Sequence, residues 1–248
     1  MSGHSKWATI KRQKGKADAA RGKIFNRLIR EITIAARIGG GDPDANPRLR
    51  SAIATARTQN MPNKNIENAI QKGTGQLEGV NYEEVTFEGY GPAGVAVIIE
   101  TMTDNKNRTV AEVRHVLTKT GGNLGTANSV NWMFNSVGLI RVAKDNIDED
   151  AVMEVALEAG AEDISTQDDA YEVSTTVDNF ESVRSALENA NMPILSAEVT
   201  KVPQNTINVE GETAQKVLKL IDALDDLDDT QNVYANFDIS EEEMEKIG

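Results

Sequence analysis

The hydrophobic pattern of this chain changes period at Gly79, and one kind of packing layer cannot satisfy both sides of that change. Ahead of it, apolar residues recur at three- and four-residue spacing, the mark of helices with one buried face. Phe25, Leu28, Ile32, Ala35 and Ala36 form such a face on a helix predicted from Asp18 to about Ile38. Gly39-Gly40-Gly41 ends it. Asn46-Pro47 reads as the cap and first-turn proline of a second helix, which carries Leu49, Ala52, Ile53 and Ala56. Met61-Pro62 breaks that helix. A third, with Asn63 as its cap, gathers Ile66, Ala69 and Ile70 and stops at Gly73. Helices this short need mutual packing, so 18–73 is expected to be a small bundle.

Beyond Gly79 strands alternate with helices. Glu84–Glu88 and Val95–Met102 read as a hairpin about Gly89-Tyr90-Gly91-Pro92, followed by a helix over Asn107–Lys119 that Gly121-Gly122 closes. Val137–Val142, Asp163–Thr166, Tyr171–Thr176 and Ser196–Val202 read as strands, with helices over Asp148–Ala159 and Asn179–Asn191. That order, β-α-β-β-α-β, is ferredoxin-like. A strand at Thr206–Val209, a helix over Thr213–Leu224 and a strand over Asn232–Phe237 then complete what the earlier hairpin began. The expected fold class is α+β: an N-terminal helical bundle and two α/β domains, one inserted in the other. The boundaries read as 1–77 for the basic helical domain with its flexible tail, 78–135 plus 204–248 for the discontinuous α/β domain, and 136–203 for the insertion.

Composition then narrows the chemistry. Aromatics are 4% of 248 residues, so the cores must be built from Ile, Val, Leu and Ala. There is no cysteine, which excludes disulfides, zinc–thiolate sites and thiol nucleophiles together. No stretch approaches the roughly 20 apolar residues of a membrane span. The charged start lacks the apolar run of a secretory signal. A cytoplasmic location and no membrane partner are the expectation.

The net charge of −13 is unevenly spread. Residues 1–77 hold 15 Lys and Arg against 5 Asp and Glu, whereas 78–248 hold 11 against 34. A basic segment on an acidic body can hold a polyanion at one end while the other end repels it. The alternative is that the two parts attract each other and the charge is internal. For the polyanion, the candidate contacts are Lys6, Lys11, Arg12, Lys14 and Lys16 in the tail. Lys23, Arg27, Arg30 and Arg37 fall within about 80° on the first helix, opposite its apolar face, in a stripe that Ile34 interrupts, and Arg50 and Arg57 stand seven residues apart on the second. Each phosphate neutralised releases counterions, so such contacts would carry most of a non-specific affinity. Trp7 suits either stacking on a base or anchoring the tail to the bundle.

Other motifs fail their context tests. Gly89-Tyr90-Gly91-Pro92-Ala93-Gly94 has the letters of a dinucleotide fingerprint but leads into a strand, so it reads as a hairpin turn. Gly39–Gly41 and Gly121–Gly125 lack the Gly-Lys-Ser/Thr of a phosphate loop. His4 and His115 assemble no nucleophile–base grouping, and His115 reads as structural or solvated. Asp225-Asp226-Leu227-Asp228-Asp229 lacks the glycine and distal glutamate of a calcium loop and reads as a solvated helix end. No catalytic residue, metal or cofactor is expected.

Gly3-His4-Ser5-Lys6-Trp7, Ile10-Lys11, Arg21-Gly22-Lys23, Phe25 and Arg30-Glu31-Ile32 resemble the opening of the YebC family. Gly39-Gly40-Gly41-Asp42-Pro43, Asn46-Pro47-Arg48-Leu49-Arg50 and Asn60-Met61-Pro62 continue the resemblance. So do Tyr82-Glu83-Glu84-Val85, Glu88-Gly89-Tyr90-Gly91-Pro92, Thr103-Asp104-Asn105-Lys106-Asn107-Arg108-Thr109 and Gly121-Gly122-Asn123-Leu124-Gly125, which carry it along effectively the whole chain. Ala93 and Asn128 stand where glycine is more usual. The resemblance implies three domains, one inserted in another, and a probable transcriptional regulator that binds DNA. A mitochondrial branch activates translation of a respiratory-chain subunit, and bacterial members are linked to relief of ribosome stalling. Ribosomal or transfer RNA is therefore the alternative partner, and the acidic domains are candidates for a protein partner.

Overall fold

The computed structural model describes residues 17–144, 147–167, 170–240 and 242–243. Trp132–Asn205 forms one compact unit, and the described residues on either side, up to Asn131 and from Thr206, form the other.

The flanking unit begins with three helices, α1 (Ala17–Gly39), α2 (Pro47–Thr58) and α3 (Asn63–Gly73). Their apolar faces meet in a core of Ile32, Ala35, Ala36, Leu49, Ile53, Ala56, Met61 and Ile66. Asn46 caps α2 as its sequence suggests, accepting from the Leu49 amide at 3.1 Å. Its amide group also donates to the carbonyls of Ala35 and Gly40, at 2.9 and 2.8 Å, and so locks the end of α1 to the start of α2. The third helix differs from expectation. Pro62, not Asn63, is the capping residue, and no side chain caps α3. The Pro62 carbonyl instead accepts from Asn65 and Ile66, at 2.9 and 3.4 Å. Gly73 lets α3 close on α1, since a Cβ there would stand 2.4 Å from the Thr33 carbonyl oxygen.

Next come β1 (Glu83–Tyr90), β2 (Ala96–Thr103), α4 (Lys106–Lys119) and β3 (Asn123–Leu124). After the other unit the chain returns through β8 (Ile207–Asn208), α7 (Gly211–Asp225), β9 (Thr230–Ala235) and β10 (Phe237–Asp238). The main sheet is ordered β3-β1-β2-β9, all antiparallel. Helices α4 and α7 pack on it through Val113, Leu117, Val217, Leu220 and Ile221 against Phe87, Val97, Ile99 and Val233. Ile98 is fully buried as well, so strand β2 is covered on both faces, which explains its nearly unbroken apolar run. The glycine-rich segment is the hairpin turn between β1 and β2, where the Gly91 amide donates to the Val95 carbonyl at 2.8 Å. Ala93 holds a left-handed φ of 58° within it, and Asn128 one of 63° farther on. These are positions where glycine would carry no Cβ penalty. The strand expected over Asn232–Phe237 is split. The Asn236 side chain accepts from the Ala96 amide at 2.7 Å, and beyond it β10 turns to pair in parallel with β8.

The other unit runs β4 (Phe134–Ala143), α5 (Glu149–Glu158), β5 (Ala161–Thr166), β6 (Ala170–Thr175), α6 (Phe180–Asn189) and β7 (Ile194–Pro203). Its sheet order, β5-β6-β4-β7 with all neighbours antiparallel, is that of a ferredoxin-like fold. Ile140, Val142, Tyr171 and Val173 from the sheet meet Val152, Ala156, Phe180, Val183 and Leu187 from the helices. Gly138 admits the Phe180 ring, to which a Cβ would approach within 2.5 Å.

Candidate nucleic-acid interface

Lys6, Trp7, Lys11, Arg12, Lys14 and Lys16 lie outside the described residues. The remaining candidates are Lys23, Arg27, Arg30 and Arg37 on α1 and Arg50 and Arg57 on α2.

On the α1 stripe Lys23, Arg27 and Arg30 are half-buried against the acidic end of α7, whereas Arg37 is exposed. Lys23 donates to the Asp225 carbonyl and reaches Asp226 Oδ1 at 3.0 Å. Arg27 Nη2 donates to the Asp225 carbonyl at 2.6 Å and to Asp225 Oδ1 at 2.8 Å. Arg30 donates to the carbonyls of Met102, at 3.3 Å, and Asp228, and lies 3.2 Å from Asp229 Oδ1. Arg37 donates to the Tyr82 carbonyl, and the Arg30 guanidinium stands 5.4 Å from the Tyr82 ring centroid. The reason is electrostatic. Helix α7 ends at Asp225 with the negative pole of its dipole, the Asp225 carbonyl there takes its bonds from α1, and the aspartates that follow add full charges.

Asp225–Asp229 is only in part the solvated helix end expected of it, since Asp226 and Asp228 are exposed but Asp229 is not. Asp229 is 1% exposed. Its Oδ2 accepts from Arg108 at 2.7 Å, Thr109 at 2.8 Å and Thr103 at 2.9 Å. Burial alone would raise its pKa; the bonds from Arg108, Thr109 and Thr103 and the charge of Arg30 outweigh that and hold the carboxyl below its usual range. The Thr103–Thr109 motif thus builds a latch. Asn105 caps α4 by accepting from the Arg108 amide at 3.1 Å, while Arg108 spans Asp104 and Asp229 at 2.7 Å each. Arg48, not expected at any site, fastens the same seam. It grips Glu31 with two nitrogens at 2.7 and 3.0 Å, and Glu84 of β1 at 2.7 Å.

One residue carried the signal. Ile34 lies midway round the α1 stripe, between Arg30 and Arg37, and it is fully buried. An apolar residue centred in a cationic stripe marks a face that another part of the protein covers. Arg50 and Arg57 behave differently. Both are exposed; Arg50 contacts only the carbonyls of Pro43 and Asp44, at 3.2 and 3.3 Å. A second buried carboxylate, Glu88, organises the loop before Trp132. It accepts from the amides of Asn128, Val130 and Asn131 at 2.7, 2.8 and 2.8 Å. His115 is exposed on α4. Among the described residues no cluster of His, Asp or Glu could hold a metal, and no helix is long and apolar enough to cross a membrane.

Fold and surface together define an electrically polarised α+β protein in which a helical bundle is latched to an α/β body and presents its remaining cations outward. Two family descriptions match it, the TACO1/YebC N-terminal domain over residues 5–76 and the TACO1/YebC second and third domain over residues 82–237. The chain belongs to the TACO1/YebC family. It is 58% identical over 247 residues to a probable transcriptional regulatory protein of Geobacter sulfurreducens, covering 100% of both chains. A probable transcriptional regulatory protein of Desulforapulum autotrophicum is 57% identical over 242 residues, with 98% of each covered. The crystal structure of a conserved hypothetical protein from Aquifex aeolicus superposes with a TM-score of 0.83 at 49% identity, over 91% of this chain and 93% of that one. These names support a regulatory role.

Proposed function

We propose that this protein is a non-enzymatic, cytoplasmic regulator that grips nucleic acid through the basic segment ahead of α1 and the outward cations of the bundle, Arg50 and Arg57 among them. The observation that carries this is the division of labour among the 15 cations of residues 1–77. Those on the covered side of α1 neutralise the body's own carboxylates. The tail cations Lys6, Lys11, Arg12, Lys14 and Lys16 and those on the outer bundle are what an external polyanion can use. DNA is the ligand that the relatives' names point to, and regulation of transcription the corresponding role.

One observation favours the second reading, a translation factor that binds ribosomal or transfer RNA. Reading a duplex groove calls for an exposed helix with a cationic face. The longest helix of the bundle turns that face inward. A short basic tail suits irregular RNA as well as it suits a duplex. Fluorescence anisotropy with a 20-base-pair DNA duplex and with a structured RNA hairpin, each at two salt concentrations, tests both. Binding should fall at least tenfold when Lys6, Lys11, Arg12, Lys14 and Lys16 are all replaced by Gln. The tighter polymer identifies the target class, and failure to bind either one removes the reading.

A further inference from the structure

The acidic segment 78–248 contains 11 cations, and four of them, Lys106, Arg108, Arg114 and Lys119, fall within the 14 residues of α4 beside a single acid, Glu112. Such crowding in a segment with 34 carboxylates invites internal pairing, and most of the segment's described cations do find partners. Arg108 spans Asp104 and Asp229, and Arg184 pairs with Glu181 at 3.0 Å. Lys216 pairs with Glu212 at 2.9 Å, Lys144 donates to the Gln167 carbonyl, and Arg141 and Lys201 have partners too. Among the described residues of the segment, the cations with neither ion pair nor hydrogen bond are Lys106, Arg114, Lys119 and Lys219. All four are exposed, and all four sit on α4 and α7, which pack side by side on the same sheet.

Helix stability does not account for them. Lys119, in the last turn, complements the α4 dipole, but Lys106 stands in the first turn, where a cation opposes it. Arg114 lies in neither end turn, and among the described residues no carboxylate pairs with it. At 100° per residue Arg114, Thr118, His115 and Lys119 occupy one outward arc, away from the buried Thr109, Val113 and Leu117. Lys219 likewise lies on the side of α7 opposite its buried residues Val217, Leu220, Ile221 and Leu224.

We infer that the outer surface of the α4–α7 layer is a second phosphate-binding surface, which holds the backbone of the same nucleic acid that the N-terminal segment grips. This rests on the nucleic-acid reading above and adds a contact in the part of the chain whose net charge alone would repel that ligand. The surface is separate from the α1 stripe, where Lys23, Arg27 and Arg30 are already neutralised. It offers point charges with no aromatic platform, so it positions a backbone and reads no bases.

The test uses the full-length protein and its Arg114→Gln/Lys119→Gln/Lys219→Gln variant, with the duplex and hairpin probes above titrated from low to moderate salt. All three side chains are exposed, and thermal melting should confirm that the variant folds as the parent does. If the surface works as inferred, affinity for the preferred probe falls at least tenfold at low salt. The slope of log affinity against log salt becomes shallower by about 2, each lost phosphate contact removing roughly 0.7 to 0.9. An unchanged affinity and slope, with the parent still binding, overturns this inference and leaves the N-terminal reading standing. A parent that binds neither probe removes both.

Discussion

On α1, Lys23, Arg27 and Arg30 point into the protein and meet the carboxylates and terminal carbonyls of the α7 end. On α4, Arg114 and Lys119 point out and meet nothing among the described residues. In composition the two rows are alike, and the α1 row looks the better ligand surface, being longer and part of the basic domain. What separates them is the company each keeps on its own helix. The α1 row has Ile34 at its centre, fully buried, whereas the α4 arc has Thr118 and His115, both exposed. A cationic stripe is a ligand surface only if the residues between the cations can also face water.

Removing the acceptor at the centre of the seam is the severest way to test that contrast. Asp229→Ala would leave Arg30, Arg108, Thr103 and Thr109 around a vacated buried acceptor, and breaking a buried charge cluster by one partner costs about 3 to 5 kcal/mol. Urea unfolding measures it; a loss below 1 kcal/mol would mean that the seam is an ornament on a fold held by its hydrophobic cores. The pH dependence follows in sign. The folded carboxyl is held below its usual range, so its contribution is complete above about pH 4 and disappears as pH falls through the lower, folded value. Asp229→Asn should lack that acid-side loss.

The seam was largely hidden in the sequence because the α1 cations and their acceptors at the α7 end stand about two hundred residues apart. Periodicity reports which face of α1 is apolar and which polar; it cannot report that a second polar surface, at Asp225–Asp229, will cover the polar one. The bundle, the hairpin turn and the β-α-β-β-α-β order were legible, since each rests on local spacing and on glycine or proline punctuation. Where local chemistry has long-range partners the reading slipped. The Asn236 side chain interrupts a strand by bonding to Ala96. The α4 cations were visible as letters, but their want of partners is a property of the folded chain.

A milder loss is expected from a substitution within the seam. Arg27→Ala deletes two hydrogen bonds, to the Asp225 carbonyl and carboxylate, from a side chain 23% exposed. Hydrogen bonds to charged groups contribute about 1.5 to 3 kcal/mol each, and because both come from one Nη2 and are partly exposed, the loss for the residue is about 2 kcal/mol. Urea unfolding should show that loss, while nucleic-acid affinity, measured well below the unfolding midpoint, stays within twofold of the parent. A large loss of affinity with stability intact would return the α1 stripe to the ligand surface and dissolve the contrast.

Arg114→Ala completes the set and should do the least to the fold. The side chain is exposed, lies in neither end turn of α4 and has no partner among the described residues, so no buried group is left unsatisfied by its removal. Alanine is also the better helix former, which offsets whatever packing the arginine stem contributes. Unfolding free energy should stay within about 0.5 kcal/mol of the parent, the range of surface changes that touch no special feature. A stability loss comparable to that of Arg27→Ala would mean that Arg114 has an internal partner, and the α4 arc would then be a second seam. An unchanged stability, beside the losses at Asp229 and Arg27, would show that burial of the intervening residues, not the number of cations, separates a structural row from an available one.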